Sequence, residues 1–297
     1  MSKNRKPKSV ANITFVIFNT IILTLFCVVT LYPILNTLAV SFNEAVDTLT
    51  GGITLFPRKF SLENYKTVFR TQTLMTGAYI SVLRTVLATV IHMLTTSLIA
   101  YVLTRKEFLF NKQVSLFYVI SMYVSGGMIP TMLLFKSMGL TNNFWVYILP
   151  GMVSAFNMIV IRTYMNGLPD SLVESAQVDG AGHLRIFLRI ILPLCKPVLA
   201  TIALFIAVGQ WNSWFDVMLY NSGRPELTTL QYELMKLLSA VSQQTGDPAT
   251  AKHAANMVTP ESVRAAATIV TAFPIVCLYP FLQRYFVTGL TIGGVKE

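Results

Sequence analysis

From Ser9 to Asn43 the chain carries no charged side chain, and most of that stretch is apolar. A helix needs about 20 such residues to cross the roughly 30 Å hydrocarbon core of a bilayer. The run is long enough for that and too long for the apolar part of a cleaved signal, and no small-residue cleavage site follows it, so it is expected to be a retained first span. Five further runs meet the same length criterion. The predicted spans are residues 13–38, 82–103, 114–135, 143–161, 198–219 and 265–282.

Composition agrees. The chain is 54% hydrophobic and 12% charged, about half the charged share of a soluble domain. Its net charge of +10 sits at the ends of the apolar runs rather than on one polar face, which excludes a nucleic-acid surface and fits lipid attraction and topology bias. Lys3, Arg5, Lys6 and Lys8, then Arg105, Lys106 and Lys112, then Arg185, Arg189 and Lys196, then Arg284 and Lys296 all fall on one side of a six-span path. That side is taken as cytoplasmic. The resulting organisation is a cytoplasmic tail (1–12), a six-helix transmembrane domain (13–282) with outer segments 41–79 and 220–262 and a cytoplasmic loop 169–196, and a cytoplasmic tail (283–297). The fold class is an all-α integral membrane protein.

Local signals refine this. Ser61 is a candidate helix cap with Glu63 in the first turn, and Tyr65 and Phe69, four apart, are expected to share a face. Leu227 to Gln243 has helical spacing and reads as an interfacial or partner-facing helix, followed by a polar loop. Gly126, Gly127 and Pro130 interrupt the third span and Pro150 and Gly151 the fourth, while Pro274 and Pro280 kink the sixth. Cys27 and Cys277 are expected to be small buried hydrophobes, and with Cys195 they form no C-x-x-C pair. Arg84 and Arg162 are expected to snorkel to the interface, and His92 to bond between helices.

The segment Glu174 to Pro193, ESAQVDGAGHLRIFLRIILP, is a charged interruption between apolar runs. Ser171-x-x-Glu174 is a capping-box pattern. Gly180 is placed to end that helix. A second helix is expected over His183 to Leu192, with Arg185 and Arg189 on one face, and Pro193 and Pro197 leading into the fifth span. Glu174, Ala176, Gly180, Ile190, Leu192 and Pro193 also fall in a fixed register. In it the chain resembles the permease subunits of bacterial carbohydrate ABC importers, in particular the second permease of maltose-type systems. Ser175 departs from the Ala usual there but remains small. FSLENYKTVF (60–69), MIP (128–130), QWNSWFD (210–216) and RYFVTGLTIGGVKE (284–297) extend the likeness along most of the chain.

The resemblance implies a type I ABC importer permease fold with both termini cytoplasmic, in a bacterial cell membrane. It implies that Glu174, Ser175, Ala176, Asp179, Gly180, Ala181, Arg185, Ile190, Leu192 and Pro193 form the loop that docks into a cytoplasmic ATPase. It implies that Gly289, Gly293, Gly294, Val295 and Lys296 reach the ATPase interface, the alternative being a frayed terminus. The implied partners are a second homologous permease, two ATPase subunits that hold the ATP and Mg, an extracytoplasmic solute-binding protein that meets segment 220–262, membrane lipid and a carbohydrate substrate. No cofactor or metal is expected in this chain.

For the substrate path, Trp211, Asn212, Trp214 and Asp216 are candidates, because aromatic faces stack on sugars and amide and carboxylate groups bond hydroxyls. An aromatic belt or simple packing is the favoured account of the tryptophans. No G-x-x-x-x-G-K-[S/T] loop or H-E-x-x-H pattern occurs, so any ATP-derived energy must come from a partner. The sequence thus points to a non-catalytic importer permease, with oligosaccharides as the expected substrate. A permease for a non-sugar solute is the alternative. An ion-coupled transporter would need a membrane-buried acid, and spans one to four and six contain none.

Overall fold

The computed structural model describes residues 10–244 and 259–292. They are helical, with a single isolated bridge between Asn43 and Phe60. Three helices are long and apolar enough to cross a membrane: α1 (Val10–Ser41), α4 (Gln72–Val102) and α14 (Pro260–Ile292, qualifying over Pro260–Pro280). Three bent pairs pass the same test together. These are α5 (Asn111–Tyr123) with α6 (Met128–Ser137), the 3-10 stretch Phe144–Gly151 with α7 (Ala155–Asn166), and the stretch His183–Leu194 with α11 (Lys196–Asn212). Counted as one span each, they bring the total to the expected six.

The breaks fall where glycine and proline predicted them. Gly127, at φ 84°, precedes α6, and the pair is bent by 119°. At 13 and 10 residues neither arm covers about 30 Å alone. The pair that makes up the fourth span bends by 46° after the 3-10 turn containing Pro150. Pro274 and Pro280, by contrast, lie inside a continuous α14.

Several boundaries move. α4 starts at Gln72, ten positions before the predicted span, because Leu74, Gly77 and Ile80 find buried positions that a hydropathy window does not see. α11 stops at Asn212, and α12 (Phe215–Tyr220) restarts after Ser213 and Trp214. α14 runs past residue 282 to Ile292, so Gly289 is helical, while Gly293, Gly294, Val295 and Lys296 lie outside the described residues. Cys27 and Cys277 are exposed rather than buried, and Cys195 is the buried one. The surroundings of an exposed apolar helix here are lipid or partner, not the chain's own interior.

The chain divides into two compact units, Met1–Arg70 with Leu237–Val270 and Thr71–Lys236 with Thr271–Glu297. In the first, a polar knot follows α1. Asn43 Nδ2 donates to Asp47 Oδ2 at 2.9 Å in α2 (Ala45–Leu49), and the Lys59 N–H donates to Asn43 Oδ1 at 3.0 Å. Asn64 Nδ2, in α3 (Glu63–Arg70), donates to Ser41 O and Asn43 O at 3.0 and 2.8 Å. The Asn43 amide first, and the Arg58 guanidinium after it, hold Asp47 below the usual carboxylate range. The Ser61 hydroxyl does accept from the Glu63 N–H, at 3.2 Å. Tyr65 packs on Phe42, but Phe69 is exposed, and the buried face of α3 is Asn64 and Val68. Three polar anchors rotate the helix away from its aromatic stripe.

The second unit has two apolar clusters. One joins Ala100 and Tyr101 of α4 to Met158 and Ile161 of α7 and to Ile186, Ile191, Val198 and Ile202. The other gathers Ile80, Ala88, Tyr147, Ile148 and Val217. The start of α13 (Leu230–Gln244) is folded in rather than interfacial: Leu230 and Leu234 are buried, and the Leu230 N–H donates to Ser81 Oγ at 2.9 Å.

Candidate functional site

Residues 169–196 form a helical hairpin. Asp170, ahead of α8 (Ser171–Val178), is already in the right-handed helical region at φ −58° and ψ −30° and provides no side-chain cap. The capping box expected of Ser171 and Glu174 is therefore not formed. Pro169, whose ring fixes φ near the helical value, starts the turn early: the Leu172 N–H donates to Pro169 O, and the Val173 and Glu174 N–H groups donate to Asp170 O. That leaves Ser171 inside the helix. The Asp170 carboxylate instead meets Lys106 Nζ at 2.9 Å. Lys106 holds Asp170 below the carboxylate range, and Asp170, with a smaller push from Glu174, raises Lys106. Folding thus favours the charged form of both. The contact is complete between the ordinary values of 3.8 and 10.5, and is lost as pH falls through the lowered Asp170 value or rises through the raised Lys106 value.

The other end of α8 follows the sequence. Gly180 has φ 76°, in the left-handed region that glycine adopts without Cβ strain. The Ala181 N–H donates to Ala176 O and the Gly180 N–H to Gln177 O, both at 2.9 Å. These are the paired bonds of a Schellman motif. Ala181 then packs against the first apolar cluster.

The second arm departs from the single α-helix expected over His183 to Leu192. It comprises α9 (His183–Ile186), a π-helical turn over Phe187–Ile191 and α10 (Leu192–Leu194). Pro193 has no N–H to return to Arg189 O, and its ring crowds that carbonyl. Widening the turn ahead of it relieves both, and the Cys195 N–H resumes the ladder to Ile191 O at 2.9 Å. The chain then bends by 85° into α11.

Burial sorts the sequence-predicted residues. Ala176, Ile190, Leu192 and Ala181 pack into the first apolar cluster, shared with α4 and α7. Glu174, Ser175, Asp179, Gly180, Arg185 and Pro193 are exposed. So are two large apolar side chains on either side of the Gly180 turn, Val178 at 88% and Leu184 at 64%. The hairpin touches the end of α4 through Tyr101, whose hydroxyl lies 3.3 Å from His183 Nδ1 and whose ring lies 5.3 Å from that of Phe187.

The four candidate path residues do not converge. Trp211 is buried, its indole N–H donating to Thr271 O at 2.9 Å. Asn212 Nδ2 folds back onto Val208 O. Trp214 packs edge-on against Phe215. Asp216 pairs with Arg84 at 2.5 Å. Arg84 does not snorkel. It is 1% exposed, with its guanidinium 4.3 Å from the Tyr147 ring centroid and donating to both Asp216 and Gln210. Arg162 likewise turns inward, to Ser115 Oγ at 2.7 Å and Asn111 Oδ1 at 2.9 Å. Polar partners within the fold outweigh the interface for both. His92 does bond between elements, its Nε2 lying 2.8 Å from Ile148 O.

Near His92 lies a cavity of about 220 Å³ with a mixed lining that includes Gly151, Ser154, Asn157, Gln210, Phe205 and Ile206. Sequence reasoning missed Gln210 and Asn157. Gln210 stands 126 positions from Arg84, and a single sequence carries no signal of that pairing.

The pattern of a family described as "Binding-protein-dependent transport system inner membrane component" matches residues 93–292. The chain is 34% identical over 275 residues to the polygalacturonan/rhamnogalacturonan transport system permease protein YtcP of Bacillus subtilis, covering 92% of this chain and 95% of that one. It is 30% identical over 275 residues to the arabinooligosaccharides transport system permease protein AraQ of Halalkalibacterium halodurans, covering 90% and 92%. Among solved structures it resembles a chain of a bacterial ABC transporter involved in the import of the acidic polysaccharide alginate. The TM-score is 0.87 at 27% identity, over 95% of this chain and 100% of that one.

Proposed function

The chain belongs to the family of binding-protein-dependent transport system inner membrane components, and on that premise we propose that it is the membrane-spanning permease subunit of an ATP-driven oligosaccharide importer in a bacterial cell membrane. The relatives named for polygalacturonan/rhamnogalacturonan and for arabinooligosaccharide transport support the substrate class. The observation that carries the coupling role is the hairpin tip. Val178 and Leu184 stand exposed around Gly180, with Glu174, Asp179 and Arg185 exposed nearby. An apolar centre inside a charged rim is the make-up of a protein interface, and a cytoplasmic ATPase is the partner that an importer permease needs there.

The partner supplies ATP and Mg, and its closure pushes on the hairpin. Two routes lead onward: the 85° bend at Cys195 into α11, and the Tyr101 contact to the end of α4 with the Asp170–Lys106 contact to the segment after it. A second permease completes the pathway, an extracytoplasmic solute-binding protein delivers the sugar, and the tail with Gly289 and Gly293 to Lys296 reaches the ATPase interface. The pairing of Asp216 with Arg84 disfavours an ion-coupled mechanism, since the span-region acid is already neutralised.

The test is the assembled importer in vesicles. Val178→Asp combined with Leu184→Asp is expected to weaken ATPase association by about tenfold or more, roughly 1.4 kcal/mol, while the chain still inserts. Unchanged co-purification of the ATPase and unchanged uptake would remove the coupling role.

A further inference from the structure

The polar groups of the cavity beside His92 have a donor and acceptor pattern that the packing fixes. Gln210 Oε1 accepts from Arg84 Nε at 3.0 Å and from Arg84 Nη2 at 2.8 Å. Only the oxygen of the amide can accept two guanidinium donors, so the Gln210 NH₂ is turned away from Arg84. His92 Nε2 faces the Ile148 carbonyl at 2.8 Å, which requires the proton on Nε2 and leaves Nδ1 as an acceptor. Ser154 Oγ accepts the Asn157 N–H at 3.4 Å at the start of α7, which leaves the hydroxyl proton available. Among the described residues no protein group holds the Asn157 side-chain amide, and Phe205 adds an aromatic wall.

The residues lining the cavity are uncharged, since Arg84 stands behind Gln210 and its charge is met by Asp216. Its volume of about 220 Å³ is below the roughly 300–1,000 Å³ of a complete ligand pocket. That is room for one ring and not for a chain of them. Neutral groups that both donate and accept, beside an aromatic wall, match the hydroxyls of a sugar ring, each of which is itself donor and acceptor. A packing defect would have an apolar lining throughout and be dry, whereas His92, Thr96, Ser154, Asn157 and Gln210 put polar groups among the apolar ones here, and a Cβ on Gly209 would meet only open space.

We infer that this cavity is a saccharide subsite of the permease itself, gripping the hydroxyl-bearing face of one sugar residue through Asn157, Gln210 and Ser154. It rests on the oligosaccharide-importer reading. The site replaces Trp211, Asn212, Trp214 and Asp216 as the part of this chain that touches substrate.

The experiment uses the whole importer with its second permease, ATPases and binding protein in vesicles, with maltotetraose, arabinotetraose and trigalacturonate as probes. Failure of the unaltered importer to take up any of them with ATP overturns the importer reading and the subsite with it. Where it does take one up, Asn157→Leu is expected to lower uptake about tenfold, while Asn157→Gln keeps it within about threefold, the range of one neutral hydrogen bond. ATP hydrolysis stimulated by loaded binding protein is expected to persist in both, because the hairpin is untouched. Uptake by Asn157→Leu equal to that of the unaltered importer, or loss of stimulated hydrolysis in step with uptake, overturns the subsite alone. Should Asn157→Leu not assemble, Asn157→Ala, which only removes atoms, is judged by the same outcomes.

Discussion

Arg84 shows what a single residue commits this chain to. Its guanidinium is out of solvent and is compensated by Asp216, Gln210 and the Tyr147 ring. Removing one partner of a buried pair strands the other, at about 3–5 kcal/mol. Asp216→Ala should therefore lower the thermal midpoint of the purified importer by several degrees. Arg84→Met combined with Asp216→Leu, which removes both charges, should recover most of the loss, and a double variant no better than Asp216→Ala would show that the pair is not the source. Gly180 is the second such position. At φ 76° an added Cβ costs roughly 1–2 kcal/mol, so Gly180→Ala should cut uptake while Gly180→Asn, which tolerates that backbone, cuts it less. The glycine was legible because its conformational requirement is local. Arg84 was not: its distance from span centre favours snorkelling, and only the fold brings Asp216 to it.

At the scale of elements, breaks were easier to read than partners. Gly126, Gly127, Pro150 and Gly151 announce their interruptions because each lacks a Cβ or an N–H. The start of α4 and the restart at Phe215 carry no such marker, and hydropathy windows blur both. Close helix crossings are likewise hidden. A Cβ on Gly77 would lie 2.9 Å from the Leu230 nitrogen, a backbone atom that cannot step aside. Gly77→Ala should therefore force α4 and the start of α13 apart and destabilise the protein by about 1–3 kcal/mol. Hydrogen exchange at the Leu230 amide, now bonded to Ser81, should speed up. Protection equal to that of the unaltered protein would mean the crossing relaxes without cost.

For the whole molecule, the sequence conveyed six membrane-length segments and the hairpin that interrupts them, because length, charge and register are all written along the chain. It did not convey the cavity beside His92, whose lining comes from residues far apart in the chain. None of the apolar window of α1 is buried within the chain, so that surface meets lipid or another subunit. The π turn over Phe187–Ile191 has an effect on all of this. It is one residue that the helix has absorbed without lengthening its ladder in step. Everything after it is rotated by about 100°, one residue's worth of helical phase. Arg185 and Arg189 are both exposed, and it is the residues after the turn that an unbroken helical wheel would misplace. A single-residue deletion inside the turn would leave the composition nearly intact and the hairpin folded. Because the absorbed residue is the one removed, the turn would close to an ordinary α-helix and the hairpin would keep its present aim toward α11, whereas the same deletion in the α-helical part would swing it by about 100°.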